Sequence, residues 1–284
     1  MPMQAQKRGS TPKPSQPTAQ EAQRARWVDS VMSTFTLEDK IGQLLMIRVP
    51  LQTSKPKDLK AFEQTLKDYR VGGICFFKGT SAQQIQRTVR YQRMATFPLW
   101  VSIDGEHGLG MRLTDAYSFP HQMMMGALSR KNDSLITAMC RMMGINIDFA
   151  PVADLNSNPL NPVIGARSFG EDKVRVADKA ILYAKALQQG GVLAVGKHFP
   201  GHGDTDADSH VGVPVINHSR AYIDSVDLYP FRRMAKAGVR GMMVAHIQAS
   251  AVDKGPASTS EKVVNQILRK ELGYTGIVFT DGMD

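Results

Sequence analysis

The chain has 284 residues, of which 42% are hydrophobic and 21% charged, and this composition excludes wholesale disorder. Its net charge of +9 results from 35 Lys and Arg residues against 26 Asp and Glu residues. Because the basic residues are scattered through the helical segments, we expect a solvated basic surface and no nucleic-acid partner. No apolar run approaches the roughly 20 residues of a membrane span.

Residues 1–26 are predicted to be a disordered tail. They are polar and rich in Pro, Ser and Gln, and they contain no apolar run that could offset the entropy of ordering them. They also lack the apolar core of a signal peptide. The sequence as given therefore predicts a cytoplasmic protein, or a periplasmic or secreted one if a leader has been removed. The folded domain is predicted over residues 27–284.

Short apolar runs recur along the chain and predict strands that are buried on both faces. In chain order they are 44–49, 72–77, 99–104, 145–154, 192–199, 239–247 and 276–281. Helices are predicted at 58–69, 81–95, 173–190, 229–238 and 260–273. An earlier helix is predicted to begin at Thr36, with Asp39 placed as in a capping box. This alternation predicts a parallel sheet with crossover helices.

Seven strands without a domain-length linker favour an α/β fold of the (β/α)₈ TIM-barrel type, with the last βα unit missing from this chain. An open doubly wound sheet is the alternative, but no G-x-G-x-x-G motif follows the first strand. A barrel without its eighth strand has two open edges, which predict association through those edges. The chain is therefore expected to be a fragment of a longer protein.

Polar residues lie at the carboxyl ends of several predicted strands, namely Asp104, Asp154, Lys197 with His198, His246 and Asp281. In a barrel of this type the carboxyl ends of the strands meet at the rim that carries the active site. Charged residues at the ends of so many apolar strands therefore indicate a functional site.

The loop KHFPGHGDTDADSH, residues 197–210, concentrates His and Asp side chains. One interpretation is acid and base catalysis, in which Asp208 orients His210 and stabilises its charged form. A histidine suits proton transfer near neutral pH. A loop held together by its own hydrogen bonds is the structural alternative. The position of the loop at a strand end favours catalysis.

A metal site is the competing interpretation of the same loop. The available ligands would be His198, His202, Asp204, Asp206, Asp208 and His210. The spacing does not favour it, because Pro200 and Gly201 oppose the helix that would align the first two histidines. Cys75 and Cys140 are predicted to be buried small hydrophobes. We therefore predict no metal site.

Six motifs occur in a consistent order from about Thr36 to Asp284: IDGEHG, DFAPVADLN, ARSFGED, KHFPGHGDTDADSH, MVAHI and GIVFTDGMD. Together they resemble the catalytic domain of glycoside hydrolase family 3, specifically its bacterial β-N-acetylhexosaminidases. IDGEHG differs from the DQEGG of many relatives at Gly105 and His107. The resemblance implies a barrel fold and a glycosidase activity.

The resemblance also implies roles for individual residues. Asp281 would be the nucleophile, with Asp284 beyond the strand end as the competing choice, and Asp208 and His210 would form the acid/base pair. The residues expected to bind substrate hydroxyls are Asp104, Arg167, Lys197 and His198. The implied reaction is retaining exo-hydrolysis of terminal β-linked N-acetylglucosamine, with peptidoglycan fragments as the expected source, and it requires no metal or organic cofactor.

Other functions remain open at this point. A β-glucosidase of the same family is one alternative, although the loop motif argues against it. A non-catalytic sugar-binding remnant is another, suggested by the missing eighth strand. A metallohydrolase is the least favoured.

Overall fold

The structure, a computed structural model, describes residues 18–50, 55–127, 138, 140–205 and 212–283. Its α-helices are Ala19–Met32, Leu37–Gln43, Pro56–Tyr69, Ser81–Met94, Gln122–Ala127, Lys173–Gln189, Arg220–Tyr222 and Tyr229–Lys236. Ile223–Asp227 and Lys262–Glu271 have π-helical hydrogen bonding, and 3₁₀ turns occupy Leu109–Met111, Gly165–Arg167 and Ala257–Thr259. The strands are β1 (Met46–Arg48), β2 (Gly73–Phe76), β3 (Trp100–Ile103), β4 (Ile147–Asp148), β5 (Leu193–Phe199), β6 (Val215–Ile216), β7 (Gly241–Val244), β8 (Gln248–Ala249) and β9 (Ile277–Thr280).

Seven strands form one parallel sheet in the order β1-β2-β3-β4-β5-β7-β9. All seven correspond to predicted strands, and each is reached from its predecessor by a crossover, so the predicted α/β barrel class is confirmed. Strand β4 is much shorter than the predicted run 145–154, because regular pairing with both neighbours is confined to Ile147–Asp148 and continues beyond it only as a bridge between Val152 and Lys197. Strands β6 and β8 form a separate parallel pair that was not predicted.

The sheet is curled, as its apolar side chains show. A cluster built on Cys75, Ile147, Phe149, Val195 and Met243 also packs against Met46 of β1 and Phe279 of β9. In a flat sheet the first and last of seven strands would lie roughly 29 Å apart. Their side chains can share a cluster only if the sheet bends towards a barrel. The larger core lies between the sheet and the helices.

Two open edges are present in the described part of the sheet. Strand β1 pairs only with β2, and β9 pairs only with β7. Ile277 of β9 is 44% exposed. Two open edges are what the sequence predicts. Within the described ranges, no helix combines the length and the apolar character needed to cross a membrane.

Residues 19–26 are helical, which corrects the predicted boundary of the disordered tail. Thr18 caps this helix: its Oγ1 accepts from the N–H of Glu21 at 3.3 Å, and the Glu21 carboxylate accepts from the N–H of Thr18 at 2.8 Å. None of the helix residues is buried. Local capping therefore defines its start, and a search for apolar runs could not find it. Residues 1–17 lie outside the described part of the chain.

Candidate active site

A buried group of charges lies where β3 and β5 end. Lys197 Nζ is 2.7 Å from Asp104 Oδ1 and 2.8 Å from Glu106 Oε1. Lys197 is 2% exposed and Glu106 1% exposed, so these contacts are almost fully shielded from water. We refer to these three residues, together with Arg112 and Arg167, as the charged clamp.

Two arginines complete the charged clamp. Arg112 donates from Nη2 to Asp104 Oδ2 at 2.8 Å. Arg167 binds Glu106 through two parallel hydrogen bonds, from Nε at 2.9 Å and from Nη2 at 2.7 Å. A guanidinium matches a carboxylate in this bidentate geometry and fixes its orientation. Both carboxylates are therefore held between cations on two sides.

Glu106 and Lys197 of the charged clamp stay charged near neutral pH. Burial alone would raise the pKa of Glu106, but Lys197 and Arg167 outweigh it and hold that pKa far below its ordinary value. Burial would lower the pKa of Lys197, but Asp104 and Glu106 raise it, and the net shift is upward. Each group thus stabilises the ionised form of the other. The result is a rigid array of donors and acceptors suited to a ligand with several hydroxyl groups.

Asp154 orients the start of the His-rich loop. It is fully buried, and its Oδ2 accepts from the His198 N–H at 3.0 Å and lies 2.6 Å from His198 Nδ1. Burial would raise the pKa of Asp154, but His198 outweighs it and the net shift is downward. Because the ionised carboxylate only accepts, His198 carries a proton on Nδ1. Its Nε2 then faces Arg167, whose Nη2 is 3.4 Å away.

His202 is the next fixed point of the loop. Its N–H donates to Asp154 Oδ1 at 2.7 Å, and its Nδ1 lies 2.7 Å from Thr205 Oγ1. Asn161 Nδ2 donates to the His202 carbonyl at 2.9 Å. Burial lowers the pKa of His202, while the Asp281 carboxylate has a smaller, opposite effect. Asp281 therefore lies within electrostatic range of this loop.

Asp281 follows β9, and its backbone is held on two sides. Its N–H donates to the Val244 carbonyl at 2.9 Å, which extends the pairing with β7. His246 Nε2 lies 3.2 Å from the Asp281 carbonyl oxygen and 3.0 Å from that of Gly282. Because carbonyl oxygens only accept, this Nε2 carries a proton. His246 Nδ1 lies 2.6 Å from Ser258 Oγ, so the ring cannot turn away without breaking that bond.

Asp208 and His210 lie outside the described residues. The chain that leads to them is anchored at Asp204, whose Oδ2 is 2.7 Å from His218 Nε2. His218 Nδ1 is 2.9 Å from Asp227 Oδ2, so one imidazole bridges two carboxylates. Burial raises the pKa of Asp227 to about 6, against the lowering effect of His218. The first half of the loop is therefore tied to the segment that follows it.

A profile described as Glycosyl hydrolase family 3 N terminal domain matches residues 36–284. The chain belongs to glycosyl hydrolase family 3. Beta-hexosaminidase A of Pseudoalteromonas piscicida is 37% identical over an alignment of 297 positions, which covers 88% of this chain and 49% of the relative.

Solved structures of this family show the same fold. The glycoside hydrolase family 3 beta-N-acetylglucosaminidase from Paenibacillus sp. str. FPU-7 superposes with a TM-score of 0.80 at 36% identity, covering 87% of this chain and 49% of that chain. NagZ from Neisseria gonorrhoeae, in complex with N-trifluoroacetyl-D-glucosamine, superposes with a TM-score of 0.74 at 30% identity, covering 84% of this chain and 74% of that chain. The chain spans about half the length of the Pseudoalteromonas and Paenibacillus relatives.

Within this family 3 fold, the residues predicted to bind substrate form one contact network, made of Asp104, Arg167, Lys197 and His198. Sequence reasoning did not assign Glu106, although it bonds both Lys197 and Arg167. It also missed Arg112, since nothing in the sequence connects it with Asp104. Across the described ranges, no group of three or more His, Cys, Asp or Glu side chains is arranged to hold a metal ion.

A surface cleft of about 800 Å³ lies elsewhere, between the helices Pro56–Tyr69 and Ser81–Met94. Its lining includes Lys60, Glu63 and Arg90. It belongs to the outer helical layer, whereas the buried ionisable side chains of the charged clamp converge at the strand ends. Convergence of buried charged groups is the better guide to chemistry, so we assign the candidate site to the strand ends.

Proposed function

We propose that this chain forms the catalytic barrel of a retaining exo-glycosidase that removes terminal β-linked N-acetylglucosamine, with peptidoglycan fragments as its source of substrate. The charged clamp is the observation that carries the proposal. Its carboxylates and cations present fixed acceptors and donors at the same rim as Asp281, in a chain whose relatives are named beta-hexosaminidases. Sugar hydroxyls need such paired partners when they leave water.

The proposed reaction is a double displacement. Asp281 attacks the anomeric carbon and forms a glycosyl-enzyme, while His210 protonates the leaving oxygen. Water then attacks the same carbon as the bond to Asp281 breaks, and His210 takes the proton of the water. Asp208 orients the imidazole and stabilises its charged form. The acid form of His210 is the imidazolium, and placing it beside an anionic nucleophile avoids the repulsion between two carboxylates.

Hydrolysis of aryl glycosides by this chain tests the proposal. We expect release of 4-nitrophenol from the N-acetyl-β-glucosaminide to exceed release from the β-glucoside, and we expect a chelator to have no effect. Proton NMR should show the β-anomer of N-acetylglucosamine as the first product, because two displacements retain configuration. A preference for the glucoside would support the β-glucosidase alternative. An α-anomer formed first would rule out the double displacement.

Replacing His210 with alanine should lower the rate of hydrolysis most for substrates whose leaving group needs a proton from a general acid. For the phenyl glycoside, whose leaving group is poor, kcat/KM should fall by roughly 10²-fold to 10⁴-fold. For the 2,4-dinitrophenyl glycoside the first step should hardly change. His121→Ala, which alters an exposed histidine, is the control. An equal loss on both substrates would remove His210 from the acid role.

A further inference from the structure

The carboxyl group of Asp148 lies directly behind the charged clamp. Asp148 is the last residue of β4 and is fully buried. Its Oδ1 accepts from the N–H of Gly105 at 2.7 Å. Its Oδ2 has no hydrogen-bond partner among the described residues. A buried carboxylate oxygen without a partner is costly, so the neutral acid is the form that this position favours.

Gly105 is the residue that lets this carboxyl approach so closely. A Cβ atom added at Gly105 would lie 2.9 Å from Asp148 Oδ2, which is closer than a side chain tolerates. Gly105 separates Asp104 from Glu106, the two carboxylates of the charged clamp. The hydrogen bond from its N–H to Asp148 therefore fixes the backbone between them.

Among the described residues, the charges that act most strongly on Asp148 belong to the charged clamp. Lys197 acts on it from β5, and Asp104 and Glu106 act on it from the end of β3. Cys140 also faces it, but burial raises the pKa of that thiol well above its ordinary value, so the thiol stays neutral. Glu106 and Lys197 keep their charges because their pKa values move away from neutrality. Asp148 is the member of this group placed to titrate near neutral pH.

We propose that Asp148 is a positioning residue. Its protonated form accepts the hydrogen bond from the Gly105 N–H and leaves the ammonium group of Lys197 paired with Asp104 and Glu106. Its ionisation weakens sugar binding. The proposal rests on the proposed function of the site as a sugar-binding one. In this proposal Asp148 does not contact the substrate. It acts through Gly105 and Lys197.

The chemistry behind the proposal is competition for Lys197. The ammonium group has three N–H donors, and Asp104 and Glu106 accept from it in the resting site. An anionic Asp148 adds a further negative charge to the same buried group and draws the cation away from the sugar. By linkage, a bound sugar and a proton on Asp148 must then favour each other.

The direction of the pH effect follows from the pKa of Asp148. Burial raises this pKa to about 7, against the lowering effects of the Gly105 hydrogen bond and of Lys197. The folded state therefore binds the proton more tightly than the unfolded chain, where the pKa is about 3.9. The stability contributed by the protonated form is present at low pH and is lost as the pH rises towards about 7.

Asp148→Asn tests the proposal, because the amide oxygen can still accept from Gly105 while the side chain cannot titrate. With 4-nitrophenyl N-acetyl-β-glucosaminide, we expect the KM of the unmodified chain to rise at least about fivefold between about pH 6 and about pH 8. The KM of Asp148→Asn should stay level over that range. Asp148→Ala, which lacks the acceptor, should show a raised KM at every pH.

Thermal unfolding of the same proteins gives a readout that needs no activity. The Tm of the unmodified chain should fall relative to that of Asp148→Asn as the pH rises from about 5 to about 8. Asp227 titrates in both proteins, so its effect cancels in the difference between their Tm values. Parallel Tm curves, or a KM that rises equally in both proteins, would overturn the proposal. If neither protein bound or cleaved the glycoside at any pH, the proposed function would fail, while the Tm comparison would still decide whether Asp148 titrates.

Discussion

Replacing Asp281 with alanine is expected to lower kcat/KM for 4-nitrophenyl N-acetyl-β-glucosaminide by roughly 10⁴-fold or more, the scale of losing a covalent nucleophile. The loss should appear in kcat, because the proposed function assigns most of the ground-state sugar contacts to the charged clamp and not to Asp281. The folded state should be preserved, since Asp281 is partly exposed at the end of β9 and its backbone bonds to β7 and His246 remain. Circular dichroism and the Tm check this.

Asp284→Asn is the matched comparison. Asp284 lies outside the described residues and is the competing nucleophile by sequence, three positions further on. If Asp281 is the nucleophile, Asp284→Asn should retain activity. Trapping the glycosyl-enzyme with a slow fluorinated glycoside and locating the label by mass spectrometry would identify the residue directly. A label on Asp284, or near-normal turnover by Asp281→Ala, would contradict the assignment.

Replacing Glu106 with glutamine is expected to lower the free energy of unfolding by about 3 to 5 kcal/mol, the range for removing one partner of a buried ion pair. Glu106 is 1% exposed and neutralises both Lys197 and Arg167, so its loss leaves two cations without their shared counter-charge. Sugar affinity should fall with it, because Arg167 loses its bidentate anchor. Urea denaturation followed by fluorescence measures the first effect.

Glu63→Gln provides the control for this destabilisation. Glu63 also pairs with an arginine at 2.7 Å, but the Arg90 side chain is 61% exposed. Water and salt screen such a pair, so breaking it should leave the unfolding midpoint almost unchanged. Equal effects of Glu106→Gln and Glu63→Gln would mean that burial of the charged clamp contributes nothing to stability.

The main sheet could be predicted because each of its strands lies in an apolar run long enough to stand out. The pair β6 and β8 could not, since Val215–Ile216 and Gln248–Ala249 are two residues long and leave no periodic pattern. The helix Ala19–Met32 was missed for a different reason. It buries none of its residues, so no apolar stripe reveals it.

For the site, the sequence indicates which residues lie at the rim but not which of them pair. Asp104, Lys197 and Asp281 are visible because they lie at the carboxyl ends of apolar strands. The contacts of Glu106 and Arg112 depend on how two loops fold over each other, and the sequence carries no signal of that distance. The sequence likewise does not show that Asp148 favours its neutral form, because this depends on burial and on an oxygen left without a partner.

The strand that carries Asp281 is an edge of the described sheet, and this affects how function is lost. Strand β9 is hydrogen-bonded to β7 on one side only, so opening it breaks a single ladder and the contacts of Phe279, and leaves the other six strands paired. Such a strand exchanges its amide hydrogens through local opening rather than through global unfolding. Asp281, the proposed nucleophile, would then be displaced at denaturant concentrations that β2 to β5 withstand, and we expect inactivation to precede the cooperative unfolding transition. Any chain that adds a strand beside β9 would therefore protect catalysis more than it protects the fold.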